Sequence, residues 1–132
     1  MSTDFSVAPE IAQLAAPFVP PQQDGPRPAT AGRHAAALTR LAVAPERWWD
    51  LVRFDPSGPV RLPVPGVQGA WLLVVPPGGA AGCDCAYATL IAGEAAENGR
   101  PLRPGRVLLH GGGAHRVTGA ENGYSVSLHS LF

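Results

Sequence analysis

Glycine and proline restrict the fold of this sequence more than any other feature: 16 glycines and 15 prolines lie among its 132 residues. Both destabilise helix interiors, so long helices are disfavoured wherever they recur. From residue 55 onward they separate roughly seven short apolar segments, a pattern typical of a compact β-sandwich or barrel. The sequence therefore predicts an all-β fold.

The predicted elements follow from periodicity and turn residues. Apolar positions recur at helical spacing between residues 34 and 52, which predicts one or two short helices interrupted at Pro45. Trp48 and Trp49 are expected to cover one end of a sheet rather than to bind a ligand. Strands are predicted over 60–64, 71–75, 83–92, a pair around the Asn98-Gly99 turn, 106–110, 115–118 and 124–131.

The beginning of the chain differs in composition from the remainder. Residues 1–33 are rich in Pro, Ala, Gln and Ser, and their prolines would break a regular element before it gained length. We expect a loosely ordered N-terminal arm over residues 1–33. A single domain is then predicted over residues 34–132, which is enough chain for one hydrophobic core.

The charge balance excludes some classes of partner. Lys+Arg and Asp+Glu number 10 each, so no basic surplus exists for nucleic acid or for an acidic membrane surface. No apolar run approaches the length of a membrane span, and the N-terminus lacks a signal-peptide pattern. Two cysteines are too few for a disulfide-stapled secreted domain. We expect a cytoplasmic protein with a small-molecule partner, and a homodimer is left open.

The densest chemistry in the sequence lies at Cys83-Asp84-Cys85. In an extended strand, residues two apart point to one face, so the two cysteines would project together and Asp84 would point away. Two adjacent thiols can bind a metal ion, whereas a disulfide between them would have poor geometry. The alternative is two small hydrophobic residues buried for packing. The pair alone does not choose between these two interpretations.

Further metal-capable side chains lie downstream. His110 or His115 could add a ligand from either end of a glycine loop, and His129 lies near the end of the chain. Because His110 ends a predicted strand just before three glycines, a surface or turn position is its more usual role.

The complete pattern resembles the cupin superfamily and, within it, the cysteine dioxygenase (thiol dioxygenase) family, especially its shorter bacterial members. The resemblance spans about residues 35–131. It implies a single jelly-roll-like cupin β-barrel with short N-terminal helices and one mononuclear metal site. The segments that carry it are 47–54, 71–78, 82–85, 102–107, 115–117 and 126–130.

The resemblance also implies a set of metal ligands. In the family, a His-Asp-His motif supplies two iron ligands and a later histidine supplies the third. Here Cys83 and Cys85 stand at both histidine positions, Asp84 is retained, and His115 matches the third ligand. Because thiolates suit nickel, copper(I), zinc or thiolate-bound iron, we expect one transition-metal ion, nickel or iron, with zinc or copper as alternatives.

Catalytic residues follow from the same resemblance. The family has a Ser-x-His-x-Tyr relay beside the metal; Ser127 and His129 match it, whereas Leu131 stands at the tyrosine position. Tyr87, on the predicted strand that carries the cysteines, is expected either to supply a hydroxyl instead or to be a core aromatic residue. Arg61 resembles the family's carboxylate-binding arginine, and the alternative is a surface arginine on an edge strand.

The function implied by the resemblance is a metal-dependent oxygenase that uses dioxygen on a small thiol, with L-cysteine as the leading substrate. Because the ligands and the relay differ, the product need not be a simple sulfinate; by analogy, nitrogen migration to sulfur would make a sulfonamide in specialised metabolism. Two other classes stay open: a non-catalytic cupin that senses or carries metal, and a metal-free pseudoenzyme that binds a partner.

Overall fold

The computed structural model describes residues 31–110 and 113–131. Helix α1 (Ala31–Ala42) comes first, followed by two short 3-10 helices, Pro45–Arg47 and Trp49–Leu51. Nine strands follow in the described chain: β1 (Val60–Pro63), β2 (Ala70–Val75), β3 (Ala80–Cys83), β4 (Tyr87–Ala92), β5 (Ala95–Glu97), β6 (Arg100–Pro101), β7 (Leu108–Leu109), β8 (His115–Gly119) and β9 (Ser125–Ser130).

The strands form two antiparallel sheets. The larger sheet has the order β1-β2-β9-β4-β7, and the smaller has the order β3-β8-β5-β6. After β2 the described chain alternates between the two sheets, interrupted by the β5–β6 hairpin, so most pairings join strands that are distant in sequence. This connectivity belongs to a jelly roll rather than to an up-and-down meander. The predicted all-β fold, a single jelly-roll-like barrel preceded by short helices, is confirmed.

Helix α1 covers the outer face of the larger sheet. Its buried residues, Leu38 and Leu41, are spaced to lie on one side of the helix. They pack in one apolar cluster with Leu72 of β2 and Leu128 of β9, which we call the outer cluster. Residues 1–30 of the predicted arm lie outside the described residues, whereas residues 31–33 are helical. None of the helices in the described residues has the length and hydropathy of a membrane-spanning segment.

The two adjacent tryptophans take different positions. Trp48 is buried in the outer cluster, and its Nε1 donates a hydrogen bond to the carbonyl oxygen of Leu41 at 2.8 Å. Trp49 is 61% exposed and contacts Trp48 edge-on. The expectation that both cover the sheet therefore holds for Trp48 and is wrong for Trp49.

The prediction of one strand over residues 83–92 is wrong. Strand β3 ends at Cys83, β4 begins at Tyr87, and the two belong to different sheets. Within the crossing, the backbone N–H of Ala86 donates to the carbonyl oxygen of Ser130 at 2.8 Å. Cys85 therefore lies where the chain passes from one sheet to the other, which places its side chain in the barrel interior.

The turn predicted at Asn98-Gly99 is confirmed. It joins β5 to β6, and both residues have positive φ, 48° for Asn98 and 84° for Gly99, as a tight hairpin turn requires. The hairpin places Glu97 at the end of β5, opposite Val117 of β8. Both residues are buried.

The inner face of the larger sheet carries polar residues among apolar ones. Cross-strand partners share a face, so the side chains that pair across β2 and β9 point into the same space. This face therefore brings hydroxyl and imidazole groups into the interior of the barrel. In the register of the two strands, Trp71, Leu73 and Val75 lie opposite His129, Ser127 and Ser125.

Candidate metal centre

Four buried side chains converge where β3 ends: Cys83, Cys85, Glu97 and His129. One donor atom from each lies within 4.8 Å of the donors of the others, and none of the four residues is more than 5% exposed. We call this group the thiolate cluster. Two sulfurs, one imidazole nitrogen and one carboxylate oxygen are donors that zinc and other transition metals accept. The residues therefore fit a transition-metal ion.

The sulfur atoms define the centre of the cluster. Cys83 and Cys85 are free thiols with their Sγ atoms 2.7 Å apart. Nδ1 of His129 lies 3.5 Å from the sulfur of Cys83 and 3.3 Å from that of Cys85. Oε2 of Glu97 lies 3.3 Å from the sulfur of Cys85. Each of the other two donors therefore already contacts a sulfur atom.

The pKa values of the two thiols are shifted in opposite directions. The hydrogen bond from Cys85, assisted by His129, lowers the pKa of Cys83 to about 4 although burial opposes this. That bond raises the pKa of Cys85 above its ordinary value, and burial and the Glu97 carboxylate raise it further. These two shifts favour a thiolate on Cys83 and a thiol on Cys85 in the metal-free pair.

Neighbours on two sides fix the His129 ring. Nε2 lies 2.7 Å from the hydroxyl oxygen of Ser127, and Trp71 stacks on the ring with centroids 5.9 Å apart and planes 13° apart. When Nδ1 offers its lone pair to an ion, Nε2 carries the proton and donates it to the Ser127 oxygen. Hydrogen bonds of this kind orient metal-binding imidazoles.

A second group of donors shares Glu97. It consists of Glu97, His110 and His115, whose donor atoms also lie within 4.8 Å of one another. We call it the imidazole cluster. Oε1 of Glu97 lies 3.0 Å from Nε2 of His110, and the two imidazole ring centroids are 4.0 Å apart. Nε2 of His115 donates to the carbonyl oxygen of Cys85 at 3.1 Å.

The predicted metal ligands are grouped differently in the structure from the set that the sequence predicted. It brings Cys83 and Cys85 together, but the imidazole beside their sulfurs belongs to His129, which was predicted as a relay residue. His115 lies directly opposite Cys83 in the β3–β8 register, yet it belongs to the imidazole cluster. The physical reason is the strand break after Cys83, which turns the second cysteine toward β9.

Tyr87 lies away from both clusters. Its hydroxyl is 3.1 Å from Nδ1 of His34 on helix α1, and its ring packs in the outer cluster. Tyr87 therefore does not supply a hydroxyl beside the cysteines, because residues 84–86 interrupt the strand that was predicted to carry all three side chains. Its position agrees with the alternative, a core aromatic residue.

Arg61 lies at an opening on the surface. Its guanidinium carbon is 3.8 Å from the centroid of the Trp71 ring, and its Nη1 is 3.9 Å from the carboxylate of Asp84. Asp84 points to solvent, as strand alternation predicted, with its side chain 71% exposed. The opening is an exposed depression of about 270 Å³, and it reaches Cys83. The residues around it are Arg61, Gly82, Cys83, Asp84 and Ala114.

The sequence pattern did not identify Glu97 as a site residue, and it favoured a surface or turn position for His110. The His110 side chain is only 6% exposed, and that of Glu97 is fully buried. One signal was available: in β5, alternation places Glu97 on the same face as the buried Ala95. An acidic residue on the inward face of a strand is rare unless it is paired or binds a metal ion.

Comparisons with known proteins find similarity among solved structures. No protein-family model matches this sequence, and no curated protein matches it. Among solved structures, the crystal structure of Rhodobacter sphaeroides SigE in complex with the anti-sigma ChrR is similar, with a TM-score of 0.47 and 17% identity. The alignment covers 83% of this chain and 71% of that chain. A likeness of this size carries no argument about function, so the candidate centre rests on the geometry of this chain.

Proposed function

We propose that this protein is a metal-dependent oxygenase of the cupin type that uses dioxygen on a small thiol, with L-cysteine as the first substrate to test. The observation that carries the proposal is the thiolate cluster, four buried donors beside an opening that reaches Cys83. A bound transition-metal ion would supply substrate binding through sulfur and the activation of dioxygen. In the simplest reaction, both oxygen atoms of O₂ are added to R–SH to give R–SO₂H.

Arg61 would bind the carboxylate of such a substrate. A guanidinium offers two parallel N–H donors to a carboxylate, and stacking on Trp71 holds its plane in place. Its present partner, Asp84, is a weak competitor because an exposed ion pair contributes ~1 kcal/mol or less. A thiol carboxylate held at Arg61 would have its sulfur directed into the depression that reaches Cys83.

Ser127 and His129 would position the centre. The His129 ring is fixed by the Ser127 hydroxyl and by the Trp71 face, so its Nδ1 can point only toward the sulfurs. Because Trp71 also supports Arg61, the arginine, the indole and the imidazole form one stack. This stack connects the substrate-binding side chain to the metal donors.

The test measures oxygen uptake and sulfinate formation by reduced protein loaded with iron(II) or nickel(II). We expect uptake that depends on L-cysteine, and we expect Cys85→Ser to lose both bound metal and activity. Arg61→Lys keeps the charge but removes the planar fork, so it should raise KM for the thiol carboxylate and leave the metal content unchanged. Undiminished uptake by Cys85→Ser would overturn the proposed site.

A second candidate is a non-catalytic cupin that senses or carries a metal ion. The observation that favours it is the number of buried donors in the thiolate cluster, because structural zinc sites are typically closed by four protein ligands. This candidate predicts tightly bound metal and no oxygen uptake with any small thiol. The same oxygen measurement therefore separates the two candidates.

A further inference from the structure

The imidazole cluster carries a proposal that does not depend on thiol oxidation. We propose that Glu97, His110 and His115 form a second metal site, and that the Glu97 carboxylate bridges it to the thiolate cluster. The barrel would then hold two ions, one beside the sulfurs and one beside the two imidazoles.

Two buried atoms without hydrogen bonds point to this site. Oε1 of Glu97 and Nε2 of His110 lie 3.0 Å apart, but neither has a hydrogen-bond partner among the residues that the structure describes. A buried carboxylate oxygen and a buried imidazole nitrogen are costly to leave unbonded. A cation between them and His115 would satisfy both atoms.

A simple ion pair explains less of the arrangement. It would require a proton on Nε2 of His110 and would not involve His115, although the two imidazole ring centroids are 4.0 Å apart and the ring planes are tilted by 32°. The His115 ring is held by its own hydrogen bond to the Cys85 carbonyl, and this places its proton on Nε2. A divalent cation uses all three side chains, neutralises the carboxylate and keeps both imidazoles neutral.

The carboxylate of Glu97 faces both clusters. Oε2 lies 3.3 Å from the sulfur of Cys85, whereas Oε1 lies 3.0 Å from His110. One oxygen directed to each donor set is the arrangement of a bridging ligand. Cys85 also connects the two clusters. Its sulfur belongs to the thiolate cluster, and its carbonyl oxygen accepts a hydrogen bond from His115 of the imidazole cluster.

The donor set indicates which ions the second site would take. Two imidazoles and one carboxylate with open positions are the donors of non-haem iron(II) sites, and they also accept zinc and cobalt(II). The thiolate cluster offers softer donors to its ion. The two sites would therefore differ in preference, although they share Glu97.

The experiment titrates reduced, metal-free, full-length protein with cobalt(II) under anaerobic conditions. Sulfur ligation gives cobalt(II) a strong thiolate charge-transfer band in the near ultraviolet, whereas nitrogen and oxygen ligation does not. We expect about two equivalents to bind, only one of which produces the band. His110→Asn and His115→Asn should each reduce binding to one equivalent and keep the band. His34→Asn, which changes a histidine outside both clusters, is the matched control and should keep both equivalents.

The outcomes separate this inference from the oxygenase proposal. One equivalent in the unmodified protein, or unchanged binding in both His110→Asn and His115→Asn, would overturn the second site. The double variant Cys83→Ser, Cys85→Ser should lose the charge-transfer band and still bind one equivalent of cobalt. If the unmodified protein also shows no oxygen uptake, the second metal site is supported and the oxygenase proposal is contradicted.

A further variant tests the bridge. Glu97→Gln removes the shared negative charge, so we expect cobalt to bind at least tenfold more weakly at both sites. Weaker binding at one site alone would contradict the bridge. Circular dichroism checks the folding of each variant. If a variant does not fold, the number of cobalt equivalents bound by the unmodified protein decides whether the second site exists.

Discussion

The two faces of the larger sheet belong to the same strands but carry chemically different side chains. Along β9, Leu128 points outward into the cluster beneath helix α1, whereas Ser127 and His129 point inward to the candidate centre. Along β2, Leu72 faces the helix and Trp71 faces the barrel interior. The outer face therefore buries mostly apolar side chains, with Thr89 and Ser130 as polar exceptions, whereas the inner face buries donors that need partners.

The two faces of the sheet contribute differently to stability and to metal binding. Each leucine buried in the outer cluster stabilises the fold by about 1.5–3 kcal/mol, whatever lies inside the barrel. The inner face stabilises the fold less because its hydroxyl, thiol, carboxylate and imidazole groups lose solvation on burial. Changes to the outer face should alter stability without altering metal binding, and changes to the inner face should do the reverse.

The substitution Leu128→Ala tests whether the outer face of the larger sheet stabilises the fold without affecting metal binding. Leu128 is fully buried, so its truncation should lower the free energy of unfolding by about 2–5 kcal/mol. Denaturant unfolding measures the loss, and elemental analysis should find the same metal content in the variant as in the unmodified protein. A variant that lost metal but kept its stability would contradict the division between the two faces.

Ser127→Ala tests the inner face. It removes the hydroxyl that holds Nε2 of His129, and loss of a hydrogen bond behind a metal-binding imidazole typically lowers affinity by about 10–100-fold. Competition with a chromophoric chelator measures the affinity. Ser125→Ala is the matched control, because this serine is on the same strand and its hydroxyl has no hydrogen-bond partner among the described residues. Equal losses in both variants would contradict a specific role for Ser127.

The ionisation of Cys83 tests the barrel interior through its dependence on pH. In metal-free, reduced protein the pKa of Cys83 is lowered to about 4, so one thiolate per chain should persist from neutral pH down to that value. An unfolded cysteine ionises near pH ~8.5, so this thiolate stabilises the fold above that value and the stabilisation is lost as pH falls through about 4. Ultraviolet thiolate absorbance follows the titration, and Cys83→Ser should abolish the signal. A thiolate that appeared only in alkaline solution would contradict the hydrogen bond from Cys85.

Much of the fold could be predicted because its signals are local. The Asn98-Gly99 pair marks a hairpin by its backbone preference, and alternation places Ser127 and His129 on one face of a strand. The meeting of Cys83 and Cys85 followed from their spacing, although the strand assumed for them breaks between the two residues.

The ligand grouping could not be predicted because it depends on where the chain changes sheets. Residues 84–86 contain no glycine or proline, so nothing local marks the crossing that turns Cys85 toward His129. Glu97 approaches the sulfurs only through the pairing of β5 with β8, a contact between distant parts of the sequence. Such contacts are set by the packing of the whole barrel.

The central claim is that both cysteine sulfurs bind one metal ion inside the barrel. X-ray absorption spectroscopy of the zinc-loaded protein tests it most directly, because it reports the atoms bound to the metal. We expect sulfur neighbours at about 2.3 Å that disappear in the Cys83→Ser, Cys85→Ser double variant. A spectrum with only nitrogen and oxygen neighbours at about 2.0–2.2 Å would contradict the claim.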